Sequence, residues 1–137
     1  MNLLLEIITP GKVVYKDEVN EVILPPVNGE IAILPNHINL LTQVNPGELI
    51  IKKGVTAQYL AITGGFLEVS DNKISILADY AVKAQDIEVA RAIEAKKRAE
   101  KAMQEKASDN DLRIAQGEMI KAILELKVAT RHKRRVI

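Results

Sequence analysis

Thr63-Gly64-Gly65-Phe66-Leu67-Glu68-Val69-Ser70-Asp71-Asn72-Lys73-Ile74-Ser75-Ile76-Leu77-Ala78 is the stretch on which the fold turns. Its two apolar runs, Phe66 to Ser70 and Lys73 to Ala78, are bounded by Gly64-Gly65 and Asp71-Asn72, residue types that favour turns, and so read as strands. Upstream the same punctuation recurs at Pro10-Gly11, Asn28-Gly29, Pro35-Asn36, Pro46-Gly47 and Lys53-Gly54. The segments between, Leu3 to Ile8, Glu18 to Leu24, Glu30 to Leu34, Glu48 to Lys52 and Gln58 to Thr63, are predicted strands. Spacing this regular predicts a β sandwich or barrel. From Glu18 to Leu24 both alternating faces carry apolar residues, as a strand buried between two sheets requires.

Downstream of Ala84 the turn residues vanish and Ala, Glu, Lys and Arg dominate. Asp86 is placed as an N-cap for a helix from about Ile87 to Lys106. Ser108-Asp109-Asn110-Asp111 then supplies a loop and a second N-cap, and the next helix is expected to reach about Thr130 before a basic tail. The predicted organisation is a β domain over residues 1–84 and an antiparallel helical hairpin over 85–137.

In the second helix Leu112, Ala115, Met119, Ala122, Leu126 and Ala129 step by three and four, a heptad seam, and Ala92, Ala95, Ala99 and Ala102 answer from the first. Burying a large aliphatic side chain stabilises by about 1.5 to 3 kcal/mol, and an alanine methyl by roughly a third of that. Gly117, inside the second helix, costs about another 1 kcal/mol relative to alanine. A seam this weak suits helices able to separate and repack elsewhere; the alternative is a rigid hairpin held by docking on the β domain.

Composition bounds the function classes. The 137 residues are 47% hydrophobic and 27% charged but only 3% aromatic, without tryptophan, so the core must be aliphatic. Without cysteine there is no disulfide framework, thiolate metal site or cysteine nucleophile. No apolar run approaches the roughly 18 to 20 residues that span a bilayer, and the start, Met1-Asn2-Leu3-Leu4-Leu5-Glu6, lacks a basic signal region, so a cytosolic or stromal location is expected. Residues 1–84 hold six Lys and Arg against nine Asp and Glu, a balance of −3; residues 85–137 hold thirteen against nine, +4.

Little in the chain can be assembled into a catalytic centre. The two histidines, His37 in a turn region and His132 in the basic tail, have no zinc-ligand spacing. Gly64-Gly65 lacks the lysine and the helix of a phosphate cradle and reads as a tight turn or close-packing site. Asp17, Glu18 and Glu21 fall near strand ends and are expected to face solvent. Arg131-His132-Lys133-Arg134-Arg135 is the strongest electrostatic feature, either a solvated terminus or a contact for an anionic partner. Nucleic acid is disfavoured because no stacking platform accompanies it, and an acidic protein surface fits better.

Two stretches closely resemble signatures of the epsilon subunits of rotary, F-type ATP synthases: Asn28-Gly29-Glu30-Ile31-Ala32-Ile33-Leu34-Pro35-Asn36-His37, and Thr63 to Val69 followed by Lys73 to Ala78. The resemblance extends over Thr9-Pro10, Asn45-Pro46-Gly47 and the Ala-rich hairpin. It implies a ten-stranded β sandwich followed by two helices, non-catalytic and without a metal. The sandwich would grip the gamma subunit and rest on the c ring, with Glu30 and His37 at the c-ring contact; Ala32 stands where glycine is usual. It further implies a hairpin that either folds on the sandwich or extends into the alpha/beta catalytic hexamer and restrains ATP hydrolysis. Arg131, Lys133, Arg134 and Arg135 are then the candidates for meeting an acidic segment of beta. The implied location is peripheral, on the cytoplasmic face of a bacterial plasma membrane or the stromal side of a thylakoid, with coupling to proton movement. A free adaptor binding an unrelated acidic partner is the competing reading.

Some epsilon subunits bind ATP through Ile/Leu-Asp-x-x-Arg-Ala at the start of the first helix. Here the motif reads Ile87-Glu88-Val89-Ala90-Arg91-Ala92, with Arg98 one helical stretch further on. Glutamate replaces aspartate, Val82 replaces an acidic residue, and Lys121 and Glu125 stand in place of two arginines, so ATP is expected to bind weakly as a regulatory ligand, if at all.

Overall fold

The computed structural model describes residues 2–25, 31–105 and 108–136. Ten strands among them run in chain order: β1 Leu3–Thr9, β2 Lys12–Val19, β3 Glu21–Leu24, β4 Ile31–Ile33, β5 Leu40–Val44, β6 Gly47–Lys53, β7 Thr56–Ile62, β8 Gly65–Ser70, β9 Lys73–Ala78 and β10 Ala81–Lys83. They form two five-stranded sheets, ordered β2-β1-β9-β8-β5 and β10-β7-β6-β3-β4. The expected β sandwich is therefore present, with antiparallel pairing except between β1 and β9, which run parallel. One compact unit runs from Met1 to Lys83 and a second from Ala84 to Ile137.

Period-two alternation builds the core. Leu3, Leu5 and Ile7 of β1, Leu67 and Val69 of β8, and Ile74 and Ile76 of β9 are buried in one sheet; Val22, Leu49, Ile51, Leu60 and Ile62 are buried in the other. Each contributes about 1.5 to 3 kcal/mol of burial. Among the described residues the fully buried side chains are aliphatic, as the composition requires.

The run from Glu18 to Leu24, predicted as one strand, is two. Val19 pairs with Leu3 in the first sheet and Glu21 with Lys52 in the second, so the chain changes sheets at Asn20. Asn20 fixes the crossing: its N–H donates to the Lys52 carbonyl (2.8 Å), its Oδ1 accepts from the Gly54 N–H (2.5 Å), and its Nδ2 donates to Asn2 Oδ1 (3.1 Å). The switch reverses the parity of burial, with Val19 inside before it and Val22 and Leu24 inside after it. Apolar residues on both faces are the sequence trace of that crossing.

In the second unit a 3₁₀ turn, Ala84–Asp86, leads to helices α1, Val89–Gln104, and α2, Asp109–Val136. Asp86 does not cap α1: it belongs to the 3₁₀ turn, and Glu88 holds the N-cap position without a side-chain hydrogen bond. Ser108 does cap, its Oγ accepting from the Asp111 N–H at 3.2 Å, an arrangement that stabilises by about 1 kcal/mol. Helix α2 continues through the basic residues to Val136 instead of ending near Thr130, since no Gly or Pro intervenes. The helix-to-helix contact is narrower than the predicted stripe. Ala92 and Ala99 on α1, and Ala115 and Ala122 on α2, are buried at seven-residue intervals, while Ala95, Ala102, Met119, Leu126 and Ala129 are only partly covered. Val128, off the stripe, is buried as well.

Candidate protein-docking faces

Solvent-facing positions of the first sheet are expected to be polar, and one row is not. Ile8 pairs with Val13 and Leu77, and Leu77 with Phe66, so four apolar side chains lie side by side across β2, β1, β9 and β8. Val13, Leu77 and Phe66 are 54%, 56% and 59% exposed, and Ile8 is half-buried. The neighbouring row, Lys16, Glu6, Ser75 and Glu68, is polar until it reaches exposed Leu41 on β5, and Lys16 Nζ lies 3.6 Å from Glu6 Oε2. Contiguous apolar surface bounded by polar residues marks a protein-docking face.

A cleft of about 550 Å³ opens beside this row, lined by Pro10, Val44, Pro46, Gly64, Phe66 and Asp79 among others. Its wall depends on the paired glycines. Gly64 has φ +112, and a Cβ there would sit 3.1 Å from the Val44 carbonyl oxygen. A Cβ at Gly65 would overlap the Leu77 carbonyl oxygen and approach Ala78 Cα to 2.9 Å. The pair lets β8 enter tight against β9, which sets Phe66 beside Leu77.

A second candidate face is the loop after β4. Asn36, at φ 66, donates its N–H to Asn72 Oδ1 at 2.6 Å, and Asn72 Nδ2 returns a bond to Asn36 Oδ1 at 3.3 Å, tying the loop to the β8–β9 turn. His37 is anchored locally, its N–H donating to the Leu34 carbonyl at 3.2 Å and its Nδ1 lying 2.7 Å from the Ile38 carbonyl oxygen. Ile38 beside it is 80% exposed. Glu30, the other c-ring candidate, lies outside the described residues.

A polar corner separates β2 from β6 and β7. Lys53 Nζ donates to Asp17 Oδ2 at 2.5 Å; that bond, with one from the Glu18 N–H, holds the Asp17 carboxyl below its ordinary range. Burial, reinforced by Asp17, pushes the Tyr15 hydroxyl up, and Lys83 Nζ stands 5.9 Å from the Tyr15 ring centre.

The suggested ATP residues are at the hairpin's start but face ordinary partners. Arg91 Nη1 is 3.5 Å from Glu88 Oε2, and both side chains are mostly exposed, so the pair adds little stability. Ala92 is buried in the helix contact, Ile87 is half-buried and Arg98 is exposed. Glu125 is half-buried, and desolvation raises its pKa against the opposing pull of Lys121 and Arg91. Of the tail candidates, Arg131 and Lys133 are exposed on α2. The side chains of Arg134 and Arg135 lie outside the described part of the structure.

Sequence reasoning missed the apolar row, although its signal is legible. Phe66 shares strand parity with Glu68 and Ser70, and Leu77 with Lys73 and Ser75, so each is an apolar residue on an otherwise polar face.

Comparison with known proteins gives agreement along most of the chain. Residues 2–84 match the family model described as the beta-sandwich domain of the ATP synthase delta/epsilon chain, and residues 85–130 match its long alpha-helix domain. The chain is 41% identical over 133 residues to an ATP synthase epsilon chain of Dehalococcoides mccartyi, covering 96% of this chain and 95% of the relative. It is 45% identical over 130 residues to that of Herpetosiphon aurantiacus, covering 94% and 95%. Among solved structures, a chain of the Euglena gracilis mitochondrial ATP synthase (OSCP/F1/c-ring) superposes with a TM-score of 0.73 at 23% identity, covering 96% of this chain and 82% of that one. At that identity the likeness is one of fold.

Proposed function

Because this chain belongs to the ATP synthase delta/epsilon family, we propose that it is a non-catalytic central-stalk subunit that couples gamma to the c ring and restrains ATP hydrolysis through its C-terminal hairpin. The observation that carries this reading is the apolar row Val13, Ile8, Leu77 and Phe66, a ready docking face on the solvent side of the first sheet. Gamma is its proposed occupant. Glu30 and His37, with exposed Ile38, are assigned to the c-ring contact. The working location is the membrane face that carries the catalytic hexamer. No helix among the described residues is long and apolar enough to cross a membrane, and the attachment is accordingly assigned to protein contacts.

For the hairpin, the supporting observation is its thin contact, with Ala92, Ala99, Ala115 and Ala122 as its buried stripe. Helices joined by methyl groups separate at low cost, which suits an element with two packings. In the extended arrangement Arg131, Lys133, Arg134 and Arg135 would meet an acidic segment of beta, blocking rotation in the hydrolysis direction. A rotor state or ligand that binds one arrangement better shifts the population toward it. ATP is at most a weak regulatory ligand, because Glu125 and Glu88 place carboxylates beside Arg91.

The test is co-purification from the native membrane. Recovery of the chain with gamma, the c ring and the catalytic hexamer is expected; recovery with an unrelated acidic protein alone would return it to the free-adaptor reading.

A further inference from the structure

The hairpin carries a groove of which the proposed stalk role uses only Arg131. It measures about 380 Å³ and is lined by Lys96 of α1 and by Ile123, Leu126, Lys127, Thr130 and Arg131 of α2. That size lies at the lower end of the roughly 300 to 1,000 Å³ typical of small-molecule sites. Its floor is aliphatic and its rim has one sign of charge: three cations and no carboxylate. The Thr130 hydroxyl is occupied by the Leu126 carbonyl at 2.7 Å, so it offers a ligand little polar competition. Neither Lys96 nor Lys127 forms a hydrogen bond or ion pair with another described residue, which leaves both ammonium groups available at the rim.

We infer that this groove binds a single-chain anionic amphiphile, a medium-chain carboxylate whose tail lies on Ile123 and Leu126 and whose headgroup meets Lys96 and Lys127, with Arg131 adding positive charge nearby. A purely polar anion would leave the apolar floor wet, and a neutral chain would forgo the attraction of the two solvated ammonium groups. An amphiphile satisfies both, with the cations' own methylene stems adding to the walls. Cations on the rim attract the headgroup through solvent, so the tail supplies most of the affinity and the lysines supply sign selectivity.

The test is a two-dimensional amide NMR titration of the full chain with octanoate, decanoate and dodecanoate below their micelle concentrations. Acetate, a neutral maltoside of equal chain length and vesicles containing anionic lipid serve as parallel arms. Shifts should cluster at 96, 123, 126, 127, 130 and 131, with affinity rising about twofold per methylene in a half-open groove. Lys96→Gln with Lys127→Gln should weaken decanoate about three- to tenfold while leaving the helical spectrum unchanged, because glutamine has nearly lysine's helix propensity. Equal binding of the maltoside would overturn the inference by removing charge selectivity. So would binding to anionic vesicles with no response to monomeric carboxylates, or shifts scattered over the chain.

Discussion

Gly65 lies so close to the backbone of Leu77 that a Cβ added to the glycine would overlap the Leu77 carbonyl oxygen. The obstacle is backbone, which cannot rotate away as a side chain tip does. Gly65→Ala must therefore push β8 from β9 at the end that presents Phe66 and Leu77. The expected cost is about 1 to 3 kcal/mol, the usual range for overpacking. Urea denaturation of the two proteins would measure it, and an unchanged midpoint would show that the strands yield freely.

Phe66 and Leu77 are more than half exposed, so their replacement tests docking with little penalty in folding. Phe66→Ser with Leu77→Ser is expected to leave the unfolding midpoint close to wild type. Affinity for gamma should fall by at least about 2 kcal/mol, as for central hot-spot residues. Calorimetry with purified gamma reads the difference; retained affinity would move the gamma contact elsewhere.

Two carboxylates respond to pH with opposite signs. The lowered pKa of Asp17 means that its ionised form stabilises the fold above the ordinary aspartate value, and that this contribution is lost as pH falls through the lowered one. For Glu125, whose pKa is raised chiefly by burial, stability is full below the ordinary glutamate value and is lost as pH rises through the raised one. Glu125→Gln is thus expected to raise the thermal midpoint at pH 7 and Asp17→Asn to lower it, with both differences closing in acid. A Glu125→Gln protein less stable than wild type at pH 7 would mean that Lys121 and Arg91 outweigh desolvation.

Titration calorimetry of ATP into the isolated chain should give millimolar affinity or none, corresponding to about −4 kcal/mol or less favourable. Glu88 and the half-buried Glu125 both interact with Arg91 and so compete with a triphosphate for its guanidinium. Micromolar binding would show that Arg91 and Arg98 overcome it.

The strand positions were legible because turn dipeptides and period-two alternation agree: β9 runs from Lys73 to Ala78, as its sequence predicts. Strands β2, β5 and β10 were not marked out by pattern. Seven of the eight positions of β2 are not buried, so its sequence Lys12-Val13-Val14-Tyr15-Lys16-Asp17 shows no clean alternation, and a bulge between Ile7 and Ile8 opposite it breaks the register. Strand β10, Ala81–Lys83, is too short for periodicity to register. The hairpin was visible from its composition, but the 3₁₀ turn displaced its start, since Asp86 satisfies the cap preference locally without occupying the cap. The docking row was hidden because it is assembled from two hairpins, β1–β2 and β8–β9, that are distant in sequence. Each strand supplies one apolar residue, a signal that only pairing makes contiguous.

The rate of ATP hydrolysis of the assembled alpha/beta/gamma complex, measured alone, with the full chain, and with a chain ending before residue 86, separates a restraining hairpin from an inert one. Residues up to Lys83 form their own compact unit with a complete core, so the shortened chain is expected to fold and bind gamma. The full chain is expected to slow hydrolysis, and the shortened chain, bound to the same extent, is expected not to. Equal rates with both chains bound would contradict a restraining hairpin.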